Sequence, residues 1–202
     1  ALLRRLSRTL AEQLGDLDRA FAAARSAFAL APEDREVLAD ASELAVRTGQ
    51  TTELATAITE ALAATAGAPE STWAELTLAK ARVLSAHEST WVEAASSFRN
   101  VLERTTDPEI STAASQGFEE LLRAMPRSQA KTRDVRWLHS WRVEHATPEQ
   151  RTRALLAWAD SEERELGHEQ TALELYKKVL EIDDADLDAL AAVSRLSLAH
   201  GD

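Results

Sequence analysis

The chain has 202 residues, enough to bury a sizeable core, and alanine and leucine dominate it while aromatic residues make up only 5%. A formal charge of −11 argues against general nucleic-acid or anionic-membrane binding, since both require a basic footprint. No cysteine is present, so disulfides and thiolate sites are excluded.

No apolar run approaches the roughly 18 residues of a membrane span, and the first residues do not form a signal peptide. A cytoplasmic location and no membrane insertion are the expectations. The chain begins at Ala1 in mid-helix, and the expectation is a single helical domain over 1–202 that is part of a longer protein.

Few glycines and prolines and no β-branched clusters predict an all-α chain. Hydrophobic periodicity and breaks place eleven helices near 1–14, 17–30, 33–48, 51–66, 70–87, 89–105, 108–125, 128–145, 148–166, 169–182 and 186–200. Four of the five prolines precede glutamate: Pro32-Glu33, Pro69-Glu70, Pro108-Glu109 and Pro148-Glu149. Proline suits a first helical turn because its missing N–H is not needed there, and glutamate complements the positive end of the helix dipole. Each pair therefore marks an expected helix start.

Glycines mark the breaks. Gly15 and Gly49 are 34 residues apart, as are Gly167 and Gly201, and glycine is favoured just past a helix end. The second helix of each pair repeats one code. Ala20, Phe21, Ala24, Ala27 and Phe28 share their offsets with Leu54, Ala55, Ile58, Ala61 and Leu62. Ala94, Ala95, Phe98, Val101 and Leu102 have them too, as do Ala172, Leu173, Tyr176, Val179 and Leu180. The offsets put each set on one helical face.

Gly15-Asp16, Ala20, Ala27 and Pro32 resemble the tetratricopeptide repeat (TPR) family, whose unit is 34 residues; Gly167, Ala172 and Tyr176 match it as well. Ala24 stands in place of the aromatic, and Val179 and Asp184 depart from the pattern. Gly201-Asp202 resembles the turn of a further repeat. The resemblance covers the whole chain in about five and a half degenerate repeats, more loosely from Glu70 to Ala146. It implies a right-handed superhelical solenoid of antiparallel helix pairs. The groove would be lined mainly by the first helix of each pair and would bind a protein or peptide segment.

That register makes Glu36, Ala39, Asp40, Glu43 and Arg47 groove-facing on the second repeat. On the fifth the candidates are Ala157, Trp158, Ser161, Arg164 and Glu165. The family's peptide-carboxylate clamp uses Lys and Asn. Arg5 and Thr9 occupy the first pair of clamp positions here, and the lone asparagine, Asn100, lies on a second helix, so that clamp is not expected. An acidic groove would favour a basic or mixed peptide.

The search for chemistry returns little. His87, His139, His145, His168 and His200 have no metal-ligand spacing, so neither metal nor cofactor is expected. Ser128-Gln129-Ala130-Lys131 matches a serine-nucleophile pattern without its companion motifs. Glu119-Glu120 and Glu162-Glu163 are adjacent on helices, cannot face one another, and read as solvated faces. An enzyme is not expected.

One basic island stands out between Arg123 and Arg142. Trp137 and Trp141 lie one turn apart, and Arg133 shares their face, with Arg136 beside them. Either this is a docking patch for acidic groups, or the tryptophans are the core of an irregular repeat. Two further expectations come from other classes. A helical sensor domain would bind a small ligand and control an attached catalytic domain. Alternatively, Leu187, Leu190, Val193, Leu196 and Leu198 leave the last helix apolar on more than one side, and a homodimer would cover it.

Overall fold

The computed structural model describes residues 1–65 and 67–200, apart from the side chain of His200. The described residues are all-helical, with eleven α-helices and no strand. They are α1 (Leu2–Glu12), α2 (Leu17–Leu30), α3 (Arg35–Thr48), α4 (Thr51–Ala64), α5 (Glu70–Leu84), α6 (Trp91–Arg104), α7 (Pro108–Ala124), α8 (Gln129–Glu144), α9 (Pro148–Asp160), α10 (Glu169–Ile182) and α11 (Leu187–His200). A 3-10 turn, Glu88–Thr90, leads into α6, and a π-helical segment, Ser161–Leu166, continues α9. None of these helices is long and apolar enough to cross a membrane.

Side-chain caps fix several of the starts. Asp16, Asp34, Asp107 and Ser128 accept hydrogen bonds from backbone N–H groups of the first turns of α2, α3, α7 and α8. Thr147 and Gln150 form a capping box on α9. Pro108 and Pro148 open their helices as expected, and Pro69 immediately precedes α5. Pro32-Glu33 is a correction: it lies in a turn, and α3 begins at Arg35. Asp34 accepts from the N–H groups of both Glu36 and Val37, and this cap sets the start in place of the proline.

Gly15, Gly49 and Gly167 adopt left-handed φ values of 65°, 73° and 73°. Gly49 and Gly167 end α3 and the π segment in the conformation that L-residues with a Cβ resist. Gly201-Asp202, expected to begin another turn, lies outside the described residues.

The chain divides into two compact units, Ala1–Met125 and Pro126–Asp202. In the first, each helix packs on its successor, and α3, α5 and α7 also touch in sequence. Its core takes Ala20, Phe21, Ala24, Ala27 and Phe28 from α2, with Leu54 and Ile58 from α4. Ala94, Ala95, Phe98, Val101 and Leu102 of α6 are buried as well. The second unit is built around α9, α10 and α11, with Leu155, Ala159, Ala172, Leu173, Tyr176 and Val179 in its core. Apart from the partly buried Ala61, Leu62 and Leu180, the shared code of the second helices is thus the buried face of the fold.

Candidate functional site

In the first unit, α3, α5 and α7 are the first helices of consecutive pairs, and together they wall a cleft of about 460 Å³. Leu38, Leu78 and Ile110 are buried there. Ala39, Ala79 and Ala113, one from each helix, line the cleft beside them. Arg35 spans from α3 to α5, and its guanidinium donates through Nε and Nη2 to the two carboxylate oxygens of Glu75, with Nε–Oε2 at 2.8 Å. Asp107 and Glu109, at the start of α7, lie close enough to add to the field that holds Arg35 protonated. Arg82, one helical turn past Leu78, lines the other part of the cleft. Of the groove candidates on α3, only Ala39 lines it.

The remaining α3 candidates are engaged with neighbours. Arg4 of α1 donates to Glu36 and, at 2.6 Å, to Asp40, while Arg8 reaches Asp40 at 3.4 Å. Glu43 pairs with Arg47 one turn along α3, at 3.3 Å. Partial burial would push the Asp40 carboxyl up, but the hydrogen bonds from Arg4 and Arg8 outweigh it and hold it below the usual range. The expected acidic strip is therefore a strip of ion pairs between α1 and α3.

In the second unit the expected basic island is split. Arg136 turns to Glu162, donating through Nε at 2.7 Å and Nη2 at 2.8 Å. Trp158 donates its indole N–H to the same carboxylate at 3.1 Å, and the His168 ring stands 3.5 Å away. Glu162 is fully buried, and Glu163 beside it is largely so. The solvated-face expectation for this pair is thus overturned. The physical reason is spacing: Leu155, Ala159 and Glu162 fall at i, i+4 and i+7, so Glu162 continues the apolar stripe of α9 into the core. Burial pushes its carboxyl up, yet hydrogen bonds from Arg136 and Trp158 more than offset that and keep it below the usual glutamate range.

Glu163 accepts from Arg195 of α11 at 2.9 Å and from the Tyr176 hydroxyl at 3.4 Å. Burial, reinforced by the Glu163 charge, pushes the Tyr176 hydroxyl up to about 12. Ala157 and Arg164 face a second cavity of about 590 Å³ between α9 and α11, where Arg164 pairs with Asp160 at 2.9 Å. Ser161, expected in the groove, is buried.

Trp137 and Trp141 are half-buried, and the buried apolar residues of α8 are Val135 and Leu138. Trp141 stacks on His145 with ring centroids 4.5 Å apart. Arg133 is exposed, with Nε 3.5 Å from the buried Asp134. The Ser128–Lys131 pattern is a helix cap, the Ser128 hydroxyl accepting from the Lys131 backbone N–H at 3.1 Å. On α11, Leu196 is buried, while Leu187, Leu190 and Leu198 remain exposed. Among the described residues no group of three His, Asp or Glu side chains is placed to hold a metal ion.

Sequence reasoning missed the cross-helix partners: Arg4 for Asp40, Arg35 for Glu75, Arg136 for Glu162 and Arg195 for Glu163. Each lies far along the chain from its carboxylate, and no local spacing signals it. The chain matches no protein-family model and no curated relative.

Proposed function

We propose that the chain is a TPR-like scaffold, a right-handed superhelical arrangement of antiparallel helix pairs, that holds a peptide segment of a partner protein without chemistry of its own. The observation that carries this is the cleft: three first helices, α3, α5 and α7, present an open, alanine-lined surface with charged groups at its edges. Further support comes from the repeated code, which forms the core, and from left-handed glycines at helix ends 34 residues apart. Neighbour-on-neighbour packing is what a repeat architecture requires.

The test is selection of a random peptide library against the full chain, followed by fluorescence polarisation on the enriched peptides. Ala79→Arg fills the cleft from a half-buried position and should weaken these peptides by at least about tenfold, the loss of a central contact. Far-UV circular dichroism should stay helical. Failure to enrich any peptide, or equal binding by Ala79→Arg, would contradict the proposal.

The sensor reading draws on the same cleft, whose volume falls within the roughly 300–1,000 Å³ of small-ligand pockets. Thermal stabilisation by metabolites, with no response to peptides, would favour it.

A further inference from the structure

We infer that the α3–α5–α7 cleft selects a segment of mixed charge, with a basic residue, an aliphatic residue and an acidic residue along one face. This rests on the cleft being the binding site, and it specifies the chemistry of the occupant. The cleft is electrically polar along α5. At one end Arg35 is committed to Glu75, so Glu109, together with the Asp107 carboxylate that caps α7, leaves a net negative charge beside the pair. At the other end stands Arg82, exposed, with no ion pair or side-chain hydrogen bond among the described residues. Arg82 also lines the adjoining cavity with Gln116, Gly117 and Glu120, so it lies beside the middle turns of α7 and away from Asp107 and Glu109. The far end therefore offers a cation for a carboxylate, moderated by Glu120.

Between the two ends the surface is apolar. Leu38, Leu78 and Ile110 are buried, and the three alanines beside them leave room for a branched aliphatic side chain. Glu75 and Arg82 are seven residues apart on α5, about 10 Å along the helix axis. Residues i, i+2 and i+4 of an extended peptide share one face and span about 13 Å. That length covers the separation of the two charged ends. A sequence of the type Lys-x-Leu-x-Glu satisfies both ends and the floor. The charges leave the direction of its backbone open, because either direction can set lysine at the acidic end.

The experiment uses the full chain with three labelled probes, Lys-Ala-Leu-Ala-Glu, Lys-Ala-Leu-Ala-Lys and Glu-Ala-Leu-Ala-Glu. The wild-type protein should prefer the mixed probe. Arg82→Glu makes both ends acidic at an exposed position, so it should transfer the preference to the doubly basic probe, a reversal on the order of tenfold for one exposed pair turned from attraction to repulsion. A gained preference cannot arise from unfolding. If peptides bind and Ala79→Arg removes them, yet the order of the three probes is the same in wild type and Arg82→Glu, the inference falls while the scaffold proposal stands. If no peptide depends on Ala79, both fall.

Discussion

The guanidinium of Arg136 and the carboxylate of Glu162 form a two-pronged ion pair, at 2.7 and 2.8 Å, across 26 residues of sequence. It ties α8 to the π-helical continuation of α9, and Trp158 completes the carboxylate's hydrogen bonding. Removing one member of a wholly buried pair costs about 3–5 kcal/mol, because the other is left without compensation. Arg136 keeps partial contact with water, with 39% of its side chain exposed, so Arg136→Ala should cost less, about 2–3 kcal/mol. Glu162→Gln keeps one oxygen for Arg136 Nε and Trp158, sets its amide against Nη2, and removes the buried charge, so it should lose less still. Urea unfolding of the three proteins checks the order.

Acid should act on the same carboxylate. Its folded value lies below that of the unfolded chain, so its stabilising contribution is complete above the ordinary glutamate value of about 4.3 and is lost as pH falls below it. Asp40 and Glu163 shift in the same direction. Thermal melts between pH 7 and pH 3 should show the loss, with a smaller acid dependence in Glu162→Gln.

Gly117 gives a prediction whose sign depends on two opposed terms. It sits inside α7, where alanine would gain about 1 kcal/mol in helix propensity. A Cβ there would stand 2.9 Å from Cε1 and 3.0 Å from Cζ of Phe98, a fully buried ring stacked on Phe118 with centroids 5.9 Å apart. Overpacking of this kind costs about 1–3 kcal/mol. The contact falls on a fully buried ring held by its stack on Phe118, so the crowding outweighs the propensity gain and Gly117→Ala should be a net loss in urea unfolding.

Gly167 separates strain from crowding. A Cβ there meets nothing within 4 Å, so only the left-handed φ of 73° opposes a side chain. Gly167→Val should cost on the order of 1 kcal/mol or more, and Gly167→Asn clearly less, because asparagine tolerates that conformation. Thermal stability equal to wild type in the valine variant would count against this account of the turn.

The helices were legible because their signals are local. Alanine and aromatic positions on one face, glycines past helix ends and capping aspartates all act within a few residues, and these became the buried face and the boundaries. Pro32 misled because a capping aspartate two residues later is the stronger start signal. The site was less legible, since it depends on pairs such as Arg4 with Asp40 and Arg35 with Glu75. Glu162 had a readable cue in its spacing from Leu155 and Ala159. Its charge argued for solvent, and only the distant Arg136 makes burial tolerable.

The most direct measurement is a backbone NMR titration of the isotopically labelled full chain with Lys-Ala-Leu-Ala-Glu. The account predicts shifts concentrated at Ala39, Leu78, Ala79, Arg82, Ile110 and Ala113, which line one cleft. Shifts centred on Arg133, Trp137 and Trp141, or none at saturating peptide, would contradict it.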